Sequence, residues 1–446
     1  MLRQFFPKMI LISIITLLLA ACTTMIKPPI PLVSAGTGDS YSLAIAITPS
    51  GEKHLAWYQD QLAEDEILYW RTWLGPATIT YDFVEPTGQP YSSPDIAATD
   101  DGIAYLVWNM VAGMSTYHHK YDIIPASGPF TPEAHDLDES FEYGVFPPRV
   151  VARGSSAFAV YDRTSTLYPC LYYQQLAGGI AGGTIYCTGN VNNELDEYGI
   201  DSAIDSTGKL HVGWKELHHN PSLTYRVIYN GGNMSQQWIV HDGNFFLGPV
   251  IAITGTGTNE KAHIVYTAEC GENHCLYIAS CKVASCTDQT TQTITLTSGW
   301  HHEGWRTLKA VGIGNTLWVA MILRDESFVH HDVWTYFTPG STEPSRLTDT
   351  EYVKDNLSLV DSGGLPALSW MGGASTGCEN DIYFSNDLFG TRKIASSVCR
   401  DYKGVMAGSN GWVAGAWRAG LNPIKPRKVP WLAMNAYGGY MPVTAK

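Results

Sequence analysis

The densest run of chemically capable side chains in this 446-residue sequence is Ser298-Gly299-Trp300-His301-His302-Glu303-Gly304-Trp305-Arg306. Histidine and glutamate act as general base and acid when their pKa values sit near working pH. His301, His302 and Glu303 also present nitrogen and oxygen ligands suited to a metal ion. Adjacent strand residues point to opposite faces, so neighbouring histidines reach one metal only from a loop. His118-His119, His218-His219 and His330-His331 are further pairs, but no H-x-H or H-x-x-x-H spacing accompanies them and no metal site is expected. Glu142 and Glu197 are the carboxylates that would join His301, His302 and Glu303 in a catalytic cleft. Asp136-Leu137-Asp138-Glu139 and Asn192 to Glu197 offer hard oxygens to Ca²⁺, yet neither matches an EF-hand loop, and no cofactor is expected. The G-x-S-x-G turn, the P-loop and the dinucleotide fingerprint do not occur.

A repeat must position these residues. A strand of small and apolar residues, a Gly-containing tight turn and a second apolar strand recur, most clearly as Pro94 to Gly102 running into Tyr105-Leu106-Val107-Trp108, and Ile200 to Gly208 running into His211-Val212-Gly213-Trp214. The large residues closing the second strand are Trp57, Trp108, Tyr161, Trp214, Tyr266, Met321, Trp370 and Trp417, in steps of 51, 53, 53, 52, 55, 49 and 47. A third strand follows each, marked by Tyr69, Tyr117, Tyr172, Tyr225, Tyr277, Trp334, Tyr383 and Trp431. Units apolar on both faces cannot bury themselves singly, whereas a ring of them covers each with the next. The expectation is an all-β, eight-bladed β-propeller of four-stranded antiparallel blades over residues 41–446, with seven blades or two tandem β domains as alternatives.

In a propeller the loops entering each first strand share one rim with those joining second to third strands, and function concentrates on loops. An aromatic recurs at all eight entries: Tyr41, Tyr91, Tyr143, Tyr198, Phe246, Trp305, Tyr352 and Tyr402. Such uniformity points first to wedges between blades, and departures from it to function. The candidate binding residues are Tyr143, Tyr198, Phe246, Trp300, Trp305, Tyr352 and Tyr402, whose rings would stack on sugars.

Residues 1–21 carry Arg3 and Lys8, then an apolar run from Met9 to Leu19, and read as a signal peptide too short to span a bilayer. Leu19-Ala20-Ala21-Cys22 resembles the bacterial lipobox. The resemblance implies a diacylglycerol on the Cys22 sulfur, cleavage before it and acylation, palmitate included, of the new amino terminus. Thr23, with no Asp, resembles the outer-membrane sorting pattern of Gram-negative lipoproteins. Residues 22–40 then form a lipidated, Pro-containing linker. Removing Arg3 and Lys8 leaves 26 basic against 42 acidic residues, a net charge of about −16. Nucleic acid is excluded as a partner, and membrane attachment falls to the lipid alone.

Eight cysteines remain after Cys22, an even number in an exported chain, which favours disulfides. Cys170 and Cys187 bracket one hairpin, as do Cys378 and Cys399. For Cys270, Cys275, Cys281 and Cys286 three pairings exist; we take 270 with 275 and 281 with 286, against a Zn site as the alternative.

Ile382-Tyr383-Phe384-Ser385-Asn386-Asp387-Leu388-Phe389-Gly390-Thr391-Arg392 resembles the Asp-box, or BNR repeat, of sialidase-like propellers, with one extra residue before Gly390 and Arg392 in place of Trp. The resemblance implies the fold. The family's Arg-Ile-Pro stretch does not occur, and no arginine triad is marked. The function expected is therefore that of a membrane-anchored envelope lipoprotein, a non-catalytic propeller whose loop-rich rim binds a glycan or an envelope or extracellular protein. The alternative is a glycoside hydrolase or polysaccharide lyase acting on extracellular glycans.

Overall fold

The computed structural model describes residues 30–31, 39–60, 66–72, 82–86, 94–112, 116–128, 130–137, 147–164, 169–177, 182–187, 195–216, 221–229, 232–243, 245–271, 273–284, 286, 288–302, 307–327, 330–349, 353–373, 380–386, 390–398, 405–409, 412–420 and 428–434; for part of the strand residues this is the backbone alone.

The local rule is plainest where strand Leu195–Ile204 turns into Leu210–Glu216. Asp205 Oδ1 accepts hydrogen bonds from the Thr207 amide at 2.7 Å, the Thr207 hydroxyl at 2.7 Å and the Lys209 amide at 3.0 Å. Gly208 closes the turn at φ 83°, a left-handed conformation that glycine adopts at no steric cost. Alternation then sends Leu210, Val212 and Trp214 into a core shared with Phe158, Val160 and Leu171 of the preceding unit.

Strands Asp39–Ile47, Lys53–Asp60, Glu66–Thr72 and Asp82–Pro86 pair antiparallel in sequence order to form the first sheet, and each of the next four units builds a sheet the same way. In the sixth the first strand is split, so that Trp300–His302 and Leu308–Ile313 both pair with Thr316–Asp325. The first strands Asp39–Ile47, Asp95–Ala98, Arg149–Arg153, Leu195–Ile204, Phe245–Thr254, Leu308–Ile313, Val353–Asp361 and Val405–Ser409 pack one against the next in that order, and the last returns to the first. Leu43, Ile45, Leu55 and Trp57 accordingly share a core with Ala414 and Ala416. One closed propeller, not two tandem domains, is the result.

The molecule is an all-β propeller, but the described residues form seven sheets, which corrects the expectation of eight blades in favour of seven. The units closed by Trp370 and Trp417 lie in one eight-stranded sheet, because Val398 pairs with Ala419 across what would otherwise be a gap between sheets. That sheet ends on Ile30–Pro31, from the stretch expected as linker, paired with Leu432 and Trp431.

Close approach near the axis explains the small residues of the first strands. A Cβ on Gly312 would sit 1.8 Å from the Ile253 carbonyl oxygen, and one on Gly408 2.1 Å from that of Asp361, so neighbouring backbones meet where only glycine fits. Polar ties add to this packing. Asp95 accepts from the Val150 amide at 3.0 Å, Asp201 accepts from that of Ile251 at 2.7 Å, and the buried Glu260 binds Arg153 and Ser206, joining the third, fourth and fifth units.

Cys170–Cys187, Cys270–Cys275 and Cys281–Cys286 are disulfides, as the spacing suggested, which removes the Zn alternative. Cys378 and Cys399 lie outside the described residues. The first bridge closes the longest of the three loops, 17 residues, so its removal should cost the most. A Cys170→Ser, Cys187→Ser double variant is expected to lose about 2–3 kcal/mol, read from its urea midpoint. An unchanged midpoint would show that pairing across the hairpin already holds those strands.

Candidate functional site

Of the residues singled out at the rim, Trp300 and His301 are described with their side chains. Both are partly exposed. Glu197 and Tyr198 lie in strand Leu195–Ile204, Phe246 in Phe245–Thr254 and His302 in Trp300–His302, with side chains outside the described residues. Cys22, Glu142, Tyr143, Glu303, Trp305, Tyr352 and Tyr402 lie outside them altogether. His301 and His302 occupy a strand rather than the loop that a shared metal would require. Among the described residues no three His, Cys, Asp or Glu side chains are grouped to hold a metal ion.

Around Trp300 the fold assembles groups that are distant in the chain. Its ring meets Trp334 edge-on with centroids 5.2 Å apart, and the Arg346 guanidinium lies over it at 4.8 Å, an attractive cation–π arrangement. Arg346 also donates from Nε to Asp332 Oδ2 at 2.9 Å and from a second guanidinium nitrogen to the same oxygen. The other carboxylate oxygen of Asp332 accepts from the Thr348 hydroxyl at 2.7 Å and the Lys354 ammonium at 3.0 Å. Burial pushes the Asp332 carboxyl up, but these donors outweigh it and hold the pKa below its ordinary value. Lys354, from the first strand of the next unit, is pushed down by burial and drawn back by Asp332. On the other side of the seam, His274 and His301 meet edge to face at 4.6 Å. Burial, then the His301 and Arg324 charges, lower the His274 pKa against the pull of Glu269.

Other seams repeat the theme with different residues. The aromatic closing a second strand is met by a ring from the preceding unit: His119 on Tyr161 at 5.2 Å, Tyr186 on Trp214 at 5.3 Å and His241 on Tyr266 at 5.3 Å. His119 is wholly buried, with Nδ1 2.7 Å from the Asn109 side chain and Nε2 2.9 Å from the Asp162 carbonyl. Tyr186 donates to Glu216 at 2.9 Å, and burial raises the pKa of both. Of the paired histidines, His119 and His331 are not solvated loop residues. Both lie in third strands and are buried.

The sequence reading missed Asp332, Arg346, Lys354, Asn109 and Asp162. Their one signal is a polar residue isolated in an apolar strand, as Asp332 is in His331–Thr338, which marks a partner without naming it.

No protein-family model matches the chain, and no curated protein matches it. Among solved structures it is similar to polysaccharide lyase Uly1 (TM-score 0.49, 9% identity, 89% of this chain and 90% of that one). It is also similar to the β-propeller domain of the Trilobed protease from Pyrococcus furiosus (TM-score 0.45, 7% identity, 82% and 98%). A third is a subtype N11 neuraminidase-like protein of a flat-faced bat isolate (TM-score 0.36, 10% identity, 94% and 96%). Identities this low say nothing of activity.

Proposed function

We propose that this protein is a non-catalytic binding propeller of the bacterial cell envelope, held by a lipid on Cys22 and offering its rim to a glycan, with an envelope or extracellular protein as the second kind of partner. The observation that carries the reading is how the polar groups near the rim are committed. Asp332 is tied to Thr348, Arg346 and Lys354, His119 to Asn109 and Asp162, and Glu216 to Tyr186. Groups held this way stiffen the seams, and none is poised to exchange a proton with a substrate. Trp300, His301 and His274 instead stay partly exposed together, a prearranged aromatic surface of the kind that stacks on a sugar ring.

The pairing of Ile30–Pro31 with the last sheet supports a close tether. Residues 23–29 would span at most about 25 Å between the lipid and the fold. The resemblance of the residue after Cys22 to the outer-membrane sorting pattern supports attachment there in a Gram-negative cell.

Isothermal titration of the mature chain against a panel of polysaccharides, with product release followed in parallel, tests this. Saturable binding without product is expected, and Trp300→Ala should weaken it about 10- to 30-fold, as truncating a buried anchor does. Product release that Glu303→Gln abolishes would overturn the reading in favour of a hydrolase or lyase.

A further inference from the structure

The direction of one short strand fixes the rim over which the chain from Cys22 reaches the fold. In the last unit, first strand Val405–Ser409, second strand Trp412–Gly420 and third strand Lys428–Met434 pair in turn. Ile30–Pro31 lies on the outer side of that third strand, where the first five units carry their fourth. The pairing is antiparallel, with Ile30 opposite Leu432 and Pro31 opposite Trp431.

Third strands begin at the rim of Trp300, His301 and His274, since His274 is the second residue of Asn273–Lys282 and Trp300 faces Asp325 at the end of a second strand. They end at the opposite rim, where tight turns join first strands to second. The chain therefore enters Ile30 from this turn rim and runs toward the aromatic one, where Asp39–Ile47 begins. Ile30 stands two positions from the turn-rim end of Lys428–Met434 and four from its start, about 7 Å and 14 Å at about 3.4 Å per residue. Residues 23–29 span at most about 25 Å. To reach the aromatic rim they would have to reverse at Ile30 and use more than half of that length running back along the sheet.

The turn rim is also suited to lie against a membrane. Its turns are closed by their own backbones: the amides of Gly51, Gly102 and Gly208 donate to the carbonyls of Thr48, Thr99 and Asp205 at 2.9, 3.0 and 3.1 Å. Exposed on them are small uncharged residues such as Ser50, Ser155, Thr258 and Asn315, and, among the described residues, only two exposed charges, Asp100 and Asp101. Glu52 and Glu260 are buried beneath them. The outer loops of this rim add Glu133, Asp288 and Glu343, with Lys261 and Lys282 beside them. Five acids against two lysines is a small share of a mature net charge of about −16, so this rim approaches an anionic leaflet at little electrostatic cost.

We propose that the turn rim is the membrane-facing surface, apposed to the phospholipid bilayer that holds Cys22, and that the rim of Trp300, His301 and His274 points away from it. The orientation rests on the lipid anchor proposed above, whereas the direction of Ile30–Pro31 does not.

The test is energy transfer from a donor dye to rhodamine-labelled lipid, with protein purified from membranes and reconstituted in phosphatidylethanolamine and phosphatidylglycerol vesicles. The donor sits on Thr258→Cys at the turn rim or on Glu326→Cys at the other, and unsubstituted protein treated with dye gives the background. A ten-residue strand such as Thr316–Asp325 separates the rims by about 30 Å. Transfer from Thr258→Cys is expected to be at least two-fold greater than from Glu326→Cys. Where either variant does not fold, Ser155→Cys and Asp349→Cys report the same two rims. The mass of the amino-terminal peptide reads the anchor by itself, with an acylated Cys22 expected. Acylated Cys22 with equal or reversed transfer overturns the orientation and keeps the anchor. Unmodified Cys22 removes the anchor, and the orientation with it.

Discussion

Acidification from pH 7 to pH 4.5 is expected to destabilise this propeller steeply, because burial disfavours the charged form of three of its histidines. Burial lowers the pKa of His54 to about 3, with the Arg71 charge adding to it, and that of His263 to about 4, aided by Lys261. His119 falls to about 4 through burial, against a rise from its bond to Asp162. Its Nε2 lies 2.9 Å from the Asp162 carbonyl oxygen and its Nδ1 2.7 Å from Asn109 Oδ1, so a neutral His119 donates to one of these two oxygens. In the unfolded chain the same rings titrate near 6.5. Between about pH 6.5 and pH 4 the unfolded state therefore binds more protons than the folded one, and stability falls as pH falls. Each ring contributes up to about 1.4 kcal/mol per pH unit, so the three together reach about 4 kcal/mol per unit. Glu52, Asp122, Asp201 and Glu216, whose pKa values burial raises, take up protons when folded and offset part of this at the acid end. Urea midpoints at pH 7 and pH 4.5 measure the effect, and His119→Gln should flatten the dependence by about 1 kcal/mol per unit. Equal midpoints at the two pH values would mean that the rings titrate normally in the fold.

Asp332→Ala should destabilise the protein by about 3–5 kcal/mol, because it strands a buried Lys354 without its counter-charge and takes from Arg346 the carboxylate that aims it at Trp300. The direction of recovery identifies the cause. Combining Asp332→Ala with Lys354→Met removes the orphaned charge as well and should restore part of the loss, whereas two independent losses would simply add. The indole emission of Trp300 should shift in Asp332→Ala as the guanidinium leaves its face. A loss under about 1 kcal/mol would place Asp332 among screened surface pairs, contrary to its complete burial.

The order of the fold was legible before any coordinates. Period-two apolar runs and glycine turns recurring about every fifty residues gave the hairpins. Several marker residues prove to be directly opposed: Tyr161 with Tyr172, Tyr266 with Tyr277, Met321 with Trp334, Trp370 with Tyr383 and Trp417 with Trp431. The disulfides were equally legible, since bridges closing hairpins obey local spacing. The number of sheets was not. It turns on one pair, Val398 with Ala419, and nothing in either residue's neighbourhood announces a contact with a strand two places on.

The site divides in the same way. His118-His119 and His301-His302 are alike as sequence, yet His119 lies beneath Asp162 of the next unit while His301 stays partly open beside His274. Hydrophobic periodicity is a property of a single strand, so the chain alone settled which strands form and which of their faces are apolar. Which polar side chains become neighbours depends on strand pairing and on the packing of one unit against the next, which bring Arg346 and Lys354 to Asp332 and set His274 on His301. Those contacts join residues of different strands and units, and it is their burial, absent from any single strand, that separates an enclosed imidazole from one that stays partly open.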